Sequence, residues 1–486
     1  MNIKNNKLTV LKFGFIFAIA FSMILSPLNV LAEEDETEYE YELYPSDALY
    51  EAVDYIEYFH LDTPSQEELI DQAIEGMVEN LSDPYSTYFS PSELEELDLF
   101  NYEYVGLGFE TVVKGQALII DRIYPDSPAF NNDLVIGDII SEVDGTSVEG
   151  LTQEEMKELF EGEEGSAIEL TIVRDGKTIK VDLTRELVSY PLVISEVVAD
   201  GVGYMRLFEF AEGADVPFGE QLDELEETGL ETLILDLRDN PGGLIYTLEN
   251  IASQFMDKKI LMFTKDNVKD MDPIVILDGE KVDYEIIILV NENTASASEA
   301  LSVALQEHDL ATVVGQQSYG KGHIQTWVPL SNGGVLSVTS YEYFSPEKNT
   351  VDGVGVIPSV EVKEQIPQLI TALQMSGVEN IEIIKNDFSV LVNDIAFYDD
   401  FEFVQKENEV FVPSRILAAL VNGEISWNQT ERAIEIKTDE QELLLPSTAE
   451  YVILQDGITY VNVDYFKEFF AQMDWNLVDG ELTISN

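Results

Sequence analysis

Apolar positions change their period from one part of this chain to the next, and each period predicts a different element. Between residues 44 and 80 they recur at helical spacing: Ala48, Leu49, Ala52, Val53 and Ile56 share one face, and Leu69, Ile70, Ala73, Ile74, Met77 and Val78 another. Two helices packed together are expected, ended by the turn-rich run 83–91 (DPYSTYFSP). From 187 to 362, strand-like runs alternate with helical patterns; 203–210 (GYMRLFEF), 232–237 and 285–290 are the clearest strands. That alternation predicts a mixed α/β core. Residues 388–486 carry a weak repeat, 412–427 and 461–475, each a strand, a helix and a strand bearing a tryptophan; Trp427 and Trp475 lie 48 positions apart.

One junction in the α/β part combines an exposed position with chemistry. The apolar run 286–290 (IIILV) enters a polar turn, 291–299 (NENTASASE), and then a helix-like stretch, 297–305. A serine here, Ser296, sits beside free N–H groups of a helix start, which can bind developing negative charge. Its hydroxyl needs a base. Lys321, in Tyr319-Gly320-Lys321-Gly322 between strand-like 311–315 and 324–328, could serve if desolvation lowered its pKa. Read alone, the same residues are an N-cap serine and a solvated loop lysine. Thr294 and Ser298 are rival nucleophiles in the same turn.

Four segments taken in order give the wider pattern: 233–243 (LILDLRDNPGG), the serine turn, 315–325 (GQQSYGKGHIQ) and 351–358 (VDGVGVIP). They resemble the carboxyl-terminal processing peptidases, or tail-specific proteases, over roughly residues 44–362. In that family serine and lysine lie 25 positions apart, as Ser296 and Lys321 do. A glutamine described as one helical turn past the lysine orients it, which here is Gln325. The resemblance therefore implies Ser296 as nucleophile, Lys321 as general base and Gln325 as orienter. It also implies an oxyanion hole from the N–H of Gly242 or Gly243 with that of Ala297. It selects Ser296 over its neighbours and leaves Ser298 as a helix cap. The DPYS motif at 83–86 belongs to the same pattern, and a homodimer through the amino-terminal helices is compatible with it.

Residues 105–187 resemble a PDZ domain: Gly106-Leu107-Gly108-Phe109 matches the glycine-rich carboxylate-binding loop, followed by 126–129 (DSPA), Gly137-Asp138 and 143–145 (VDG). Such a module adds an extended peptide to a sheet edge and holds its terminal carboxylate. Two departures stand out. Glu161, in 159–162 (LFEG), occupies a position that is often basic in the processing peptidases and helps couple peptide binding to activation; Asn132-Asp133 replaces a usual small pair. The first repeat copy near the carboxyl terminus resembles the stalk-like domain named after the amino-terminal domain of copper amine oxidases. Cell-wall or partner attachment is the expectation there, with structural support equally compatible. His60, His308 and His323 are the only histidines and lie outside that region, so no copper site is expected.

Composition limits what such a protein can meet. The first 32 residues read as a secretory signal: Lys4, Lys7 and Lys12 precede the apolar 13–25 (FGFIFAIAFSMIL), and Val30-Leu31-Ala32 offers a cleavage point. Export is expected, with an uncleaved membrane anchor as the alternative. The absence of cysteine excludes disulfides and thiolate chemistry. With 94 acidic against 26 basic side chains the net charge is −68, dispersed along the chain. Phosphate binding needs clustered cations, so nucleic acid is not an expected partner; salt should screen the self-repulsion.

The expected organisation is signal 1–32, acidic leader 33–43, helical segment 44–103, PDZ domain 104–187, peptidase core 188–365, linker 366–387 and α+β stalk-like domain 388–486. The function that follows is an exported serine endopeptidase needing no metal or organic cofactor and acting on proteins or peptides with accessible carboxyl-terminal tails. Two alternatives remain at this point: a Ser-His-Asp hydrolase using His308 or His323, and a catalytically silent PDZ and stalk scaffold at the cell envelope.

Overall fold

The computed structural model describes residues 44–96, 102–114, 117–174, 176–268, 271–386, 390–397, 401–478 and 480–486. The signal and acidic leader expected in 1–43 lie outside them. The chain divides into two compact units, one up to Ile70 and one from Asp71 to Asn486. No helix among the described residues is long and apolar enough to cross a membrane.

Helices α1 (Pro45–Phe59) and α2 (Gln66–Glu79) form where the helical period predicts them. Proline in the first turn of α1 has no N–H to leave unsatisfied. Val53 is the buried residue of α1, and in α2 the expected stripe residues Leu69, Ile70, Ala73, Ile74 and Val78 are half-buried. Tyr50, Tyr55, Tyr58 and Phe59 stay exposed.

The PDZ fold is a sheet of β1 (Phe109–Lys114), β2 (Ala117–Ile123), β3 (Ile139–Val143), β4 (Ala167–Arg174) and β5 (Lys177–Thr184), with a short sixth strand, Thr146–Ser147, on β3. Helix α3 (Gln153–Phe160) opens with a capping box, Thr152 accepting from the Glu155 N–H while Glu155 accepts from Thr152. The first strand, β1, is an edge strand, and Phe109 at its start meets Phe160 of α3 edge-on at 5.6 Å.

The core sheet runs β6 (Val193–Ala199), β7 (Val202–Leu207), β8 (Thr232–Asp236), β9 (Glu285–Val290), β10 (Ala311–Gly315) and β11 (Val360–Glu361), parallel except at the β6 edge. Helices cover both faces, which is why β8 and β9 read as unbroken apolar runs. The loops leaving the carboxyl ends of β8, β9 and β10 carry Gly242 and Gly243, Ser296, and Lys321. A parallel sheet gathers such loops at one end, where α/β proteins bind ligands. Ser296 leads directly into α4 (Ala297–Glu307). A second, antiparallel sheet contains Val335–Phe344, paired on one side with His323–Pro329 and on the other with Thr87–Phe89. It brings the DPYS turn and Gln325 to the same end.

The linker expected at 366–387 is instead part of the core. Its first half is helix α5 (Gln365–Met375), whose Ile366, Leu369, Ile370, Ala372 and Leu373 are buried against the core sheet. Its second half includes Glu382–Lys385, which pairs with the last strand, Glu481–Ser485. Ile366, Leu369, Ile370 and Leu373 follow helical spacing, and α5 serves as a wall shared by two domains. In the carboxyl-terminal domain the first strands of the two repeats, Glu409–Pro413 and Ile458–Asn462, pair with each other.

Candidate active site

Ser296 is half-buried at the N-cap of α4 with φ 56° and ψ −115°. A left-handed φ at a residue with a side chain costs on the order of 1–3 kcal/mol, so the surroundings must impose it. They do so from both sides of the residue. The Ser296 N–H donates to Glu299 Oε2 at 2.8 Å, while its carbonyl accepts from Tyr343 Oη at 3.0 Å and from the Ala300 N–H at 2.9 Å.

Glu299 is the residue that sequence reasoning missed. Its carboxylate is fully buried and also accepts from Lys321 N–H at 2.8 Å, Gly320 N–H at 2.6 Å and Ser318 Oγ at 2.5 Å. One side chain thus ties the backbone of the serine turn to the backbone of the lysine turn. The signal available in sequence was a serine with glutamate three positions on, which reads as an ordinary capping box.

The rival hydroxyls are committed elsewhere. Thr294 Oγ1 is buried and donates to the Leu237 carbonyl at 2.8 Å. Ser298 is not a helix cap: it lies inside α4, buried, with Oγ 3.2 Å from the Asn240 carbonyl it donates to. Asn240 organises the glycine turn, its Nδ2 donating to the Leu207 carbonyl at 2.8 Å and its Oδ1 accepting from the Gly242 N–H at 2.9 Å. That bond decides between the two glycines. Gly242 N–H is used internally, whereas among the described residues the N–H groups of Gly243 and Ala297 donate to no protein acceptor. Gly242 still shapes the site: at φ 99° a Cβ there would lie 2.7 Å from the Ala297 nitrogen and from Ser296 Cβ, filling the space in front of that amide.

Lys321 is half-buried, and burial lowers the pKa of its amine against the opposing pull of the Glu299 charge. Nζ sits 5.4 Å from the centre of the Tyr85 ring, in the DPYS turn. Among the described residues no hydrogen bond joins Lys321 Nζ to Ser296 Oγ. Gln325 is four positions on, but it lies on strand His323–Pro329, next to a bulge, so the helical-turn description fails. Its Nε2 donates to Thr339 Oγ1 at 3.2 Å rather than contacting the lysine. Thr339 N–H donates in turn to Ser86 Oγ, which donates to Asp83 at 2.5 Å. The DPYS turn and the glutamine therefore belong to one polar chain.

Neither histidine is bonded to Ser296. His308 caps the far end of α4, with Nε2 2.7 Å from the Ile260 carbonyl. His323 Nδ1 pairs with Asp352 Oδ1 at 2.8 Å and its ring lies 5.6 Å from Tyr85.

In the PDZ domain, Leu107 and Gly108 offer their carbonyls to Ala129 N–H and Tyr124 N–H, both at 2.8 Å. The Gly108 N–H faces the Tyr104 phenol oxygen. Gly106 and Phe109 complete the loop at the start of the edge strand β1. Glu161 is the C-cap of α3, and its carboxylate lies 3.6 Å from Lys157. A cation does stand at this helix end, but it comes from Arg185, whose Nε donates to the Phe160 carbonyl at 2.8 Å.

Comparison with known proteins follows this geometry. Peptidase family S41 matches residues 201–362, the PDZ domain 105–184, the activating protease CtpB N-terminal domain 28–92 and the copper amine oxidase N-terminal domain 391–484. The carboxy-terminal-processing protease of Bartonella bacilliformis is 30% identical over 365 residues, covering 73% of this chain and 83% of that one. The chain belongs to the carboxy-terminal-processing proteases. Its relatives in that family include carboxy-terminal processing protease CtpA of Bacillus subtilis, 29% identical over 325 residues, 66% of this chain and 69% of the relative. A solved structure, the photosystem II D1 C-terminal processing protease, aligns at 26% identity with a TM-score of 0.41, covering 69% of this chain and 97% of that one. The chain is thus a serine-type peptidase of mixed α/β fold that carries a PDZ domain.

Proposed function

We propose that this peptidase is exported, captures substrate tails through its PDZ domain and cleaves by a serine-lysine mechanism. The observation that carries the mechanism is the convergence at one sheet end of a strained, half-buried serine, a desolvated lysine and two undonated N–H groups. A peptide carboxylate meets the 106–109 loop, and the peptide extends along the edge strand β1. Ser296 Oγ attacks the scissile carbonyl while Lys321, its pKa lowered by burial, takes the hydroxyl proton in its neutral form. The Gly243 and Ala297 N–H groups receive the oxyanion. The lysine then protonates the leaving amine, giving an acyl-enzyme, and later takes a proton from the attacking water. Gln325 orients the lysine once it turns from Thr339. Export is supported by the signal-like first 32 residues; the exposed aromatic side chains of α1 support a homodimer, and the carboxyl-terminal domain a wall contact.

The test is cleavage of an unstructured peptide with an apolar carboxyl terminus. Ser296→Ala and Lys321→Ala should each abolish turnover, while His323→Ala should retain it. Cleavage surviving both of the first two changes sinks the dyad. Loss with His323→Ala but not Lys321→Ala would instead assign the base to the His323-Asp352 pair.

A further inference from the structure

The carboxyl-terminal domain shares its hydrophobic core with the peptidase. Tyr204, Ile234, Leu289 and Val314 of the core sheet, Leu369 and Leu373 of α5, and Phe397, Leu417 and Phe466 of the last domain form one continuous buried cluster. Within it stands a fully buried ion pair. Arg238 Nε and Nη2 donate to Asp236 at 2.8 and 2.5 Å, and Tyr204 Oη donates to the same carboxylate at 2.7 Å. Two further holds on Arg238 come from beyond the peptidase sheet. Nη1 donates to the Gln365 carbonyl at 2.6 Å, at the start of α5, and the guanidinium lies 5.0 Å from the centre of the Phe397 ring. Phe397 belongs to Ile395–Phe397, inside the region that matches the copper amine oxidase N-terminal domain.

The residues next to Arg238 serve the catalytic end. Asp239 Oδ1 accepts from the side-chain amides of Asn291 and Asn293, at 2.7 and 2.9 Å, in the turn that leads to Ser296. Asn240 holds the Gly242 N–H and, through its carbonyl, the Ala295 N–H and Ser298 Oγ. Arg238 is therefore fixed from below by the last domain, and the two residues after it fix the glycine turn and the serine turn above. Such a contiguous, rigid network is the physical requirement for one domain to set the geometry of another.

We infer that the carboxyl-terminal domain is a positioning element of the peptidase reaction: Phe397 and α5 hold Arg238, and Arg238 places the 239–243 turn against Ser296. A stalk serving only attachment would leave turnover independent of that ring. The ring's face, which a guanidinium prefers, supplies the hold; an aliphatic side chain of similar bulk fills the space without it. The inference rests on the Ser296 reading, and Ser296→Ala retaining cleavage sinks that reading whichever way the Phe397 series falls.

The experiment measures kcat and KM of the full chain on the same apolar-tailed peptide, with melting temperature alongside. Phe397→Leu should lower kcat about tenfold, in keeping with the steep cost of small displacements at a catalytic centre, while KM stays within about twofold. Phe397→Trp, which restores a ring face, should recover most of the loss. A folded Phe397→Leu protein with wild-type kcat overturns the inference, and so does a loss that Phe397→Trp fails to recover. If Phe397→Leu does not fold, Gln368→Ala decides by the same kcat criterion, since Gln368 Oε1 accepts from Arg238 Nη1 at 3.4 Å on the α5 side.

Discussion

Replacing Glu299 by glutamine separates two things this buried carboxylate does at once, because it should damage the scaffold while making the base easier to use. Oε2 faces the N–H groups of Ser296 and Lys321; Oε1 faces the Gly320 N–H and the Ser318 hydroxyl. Glutamine keeps the shape but must turn its NH2 toward one of these pairs. Turned to the first, it loses two N–H donors. Turned to the second, it loses the Gly320 bond and forces the Ser318 hydroxyl, which already accepts from the Val356 N–H at 2.6 Å, to reorient. Bonds to a charged group contribute about 1.5–3 kcal/mol each, so the loss of two should destabilise the fold by about 3–6 kcal/mol. That is a large share of the ~5–15 kcal/mol typical of a domain. The second effect has the opposite flavour. The Glu299 charge raises the lysine pKa against the lowering by burial, so removing it lets Lys321 lose its proton at lower pH. Urea unfolding of Glu299→Gln, together with its kcat/KM profile against pH, reads both. The expected result is reduced stability, a lower plateau and a rising limb displaced toward acid. A limb at unchanged or higher pH, or stability within about 1 kcal/mol of wild type, would refute the reasoning.

Further outcomes follow from the same geometry. Gly242→Ala should lower kcat by about 10²–10³, the cost of losing an oxyanion donor, because its Cβ would occupy the space before the Ala297 amide; wild-type kcat in the variant would remove that amide from the site. Lys321→Met should raise the melting temperature at neutral pH, since burial of the ammonium is a cost. The sign follows from linkage: with the folded pKa below the unfolded one, the native lysine gains stability as pH rises between them, so the advantage of methionine should shrink toward alkaline pH. A pH-independent difference in thermal unfolding would contradict it. With a net charge of −68, the melting temperature should climb between low and molar salt as screening shortens from about 10 to about 3 Å, and a flat response would count against dominant self-repulsion.

The placement of Ser296 and Lys321 was legible because both follow short apolar strands, and parallel strands bring their trailing loops together wherever they lie in sequence. The PDZ domain was legible through its glycine-rich loop and the turns that follow it. Glu299 was not, since its local pattern suggests a helix cap and its other partners lie 19–22 positions away, in a turn that only the fold brings close. The geometry expected of Gln325 was wrong: spacing of four suggests a helix, whereas the segment is a strand with a bulge between Ile324 and Gln325. The region 366–387 failed for a related reason. Ile366, Leu369, Ile370 and Leu373 do recur at helical spacing, but nothing in the sequence tells that this stripe packs between two domains.

The site divides into a part already built and a part still to be engaged. Everything made of backbone is in place: the strained serine, the Gly243 and Ala297 amides, and the lysine turn held by Glu299. What is not joined is the proposed serine-lysine pair: Lys321 Nζ lies over Tyr85, and Gln325, proposed to orient it, bonds Thr339. The difference in cost between these parts is large. Rebuilding the backbone would break several buried hydrogen bonds, whereas turning a lysine and a glutamine exchanges one staggered rotamer for another and gives up one neutral hydrogen bond, ~1 kcal/mol. Tyr85 and Thr339 both belong to the polar chain that starts at Asp83, so whatever shifts the DPYS turn acts at once on the lysine and on the glutamine proposed to orient it.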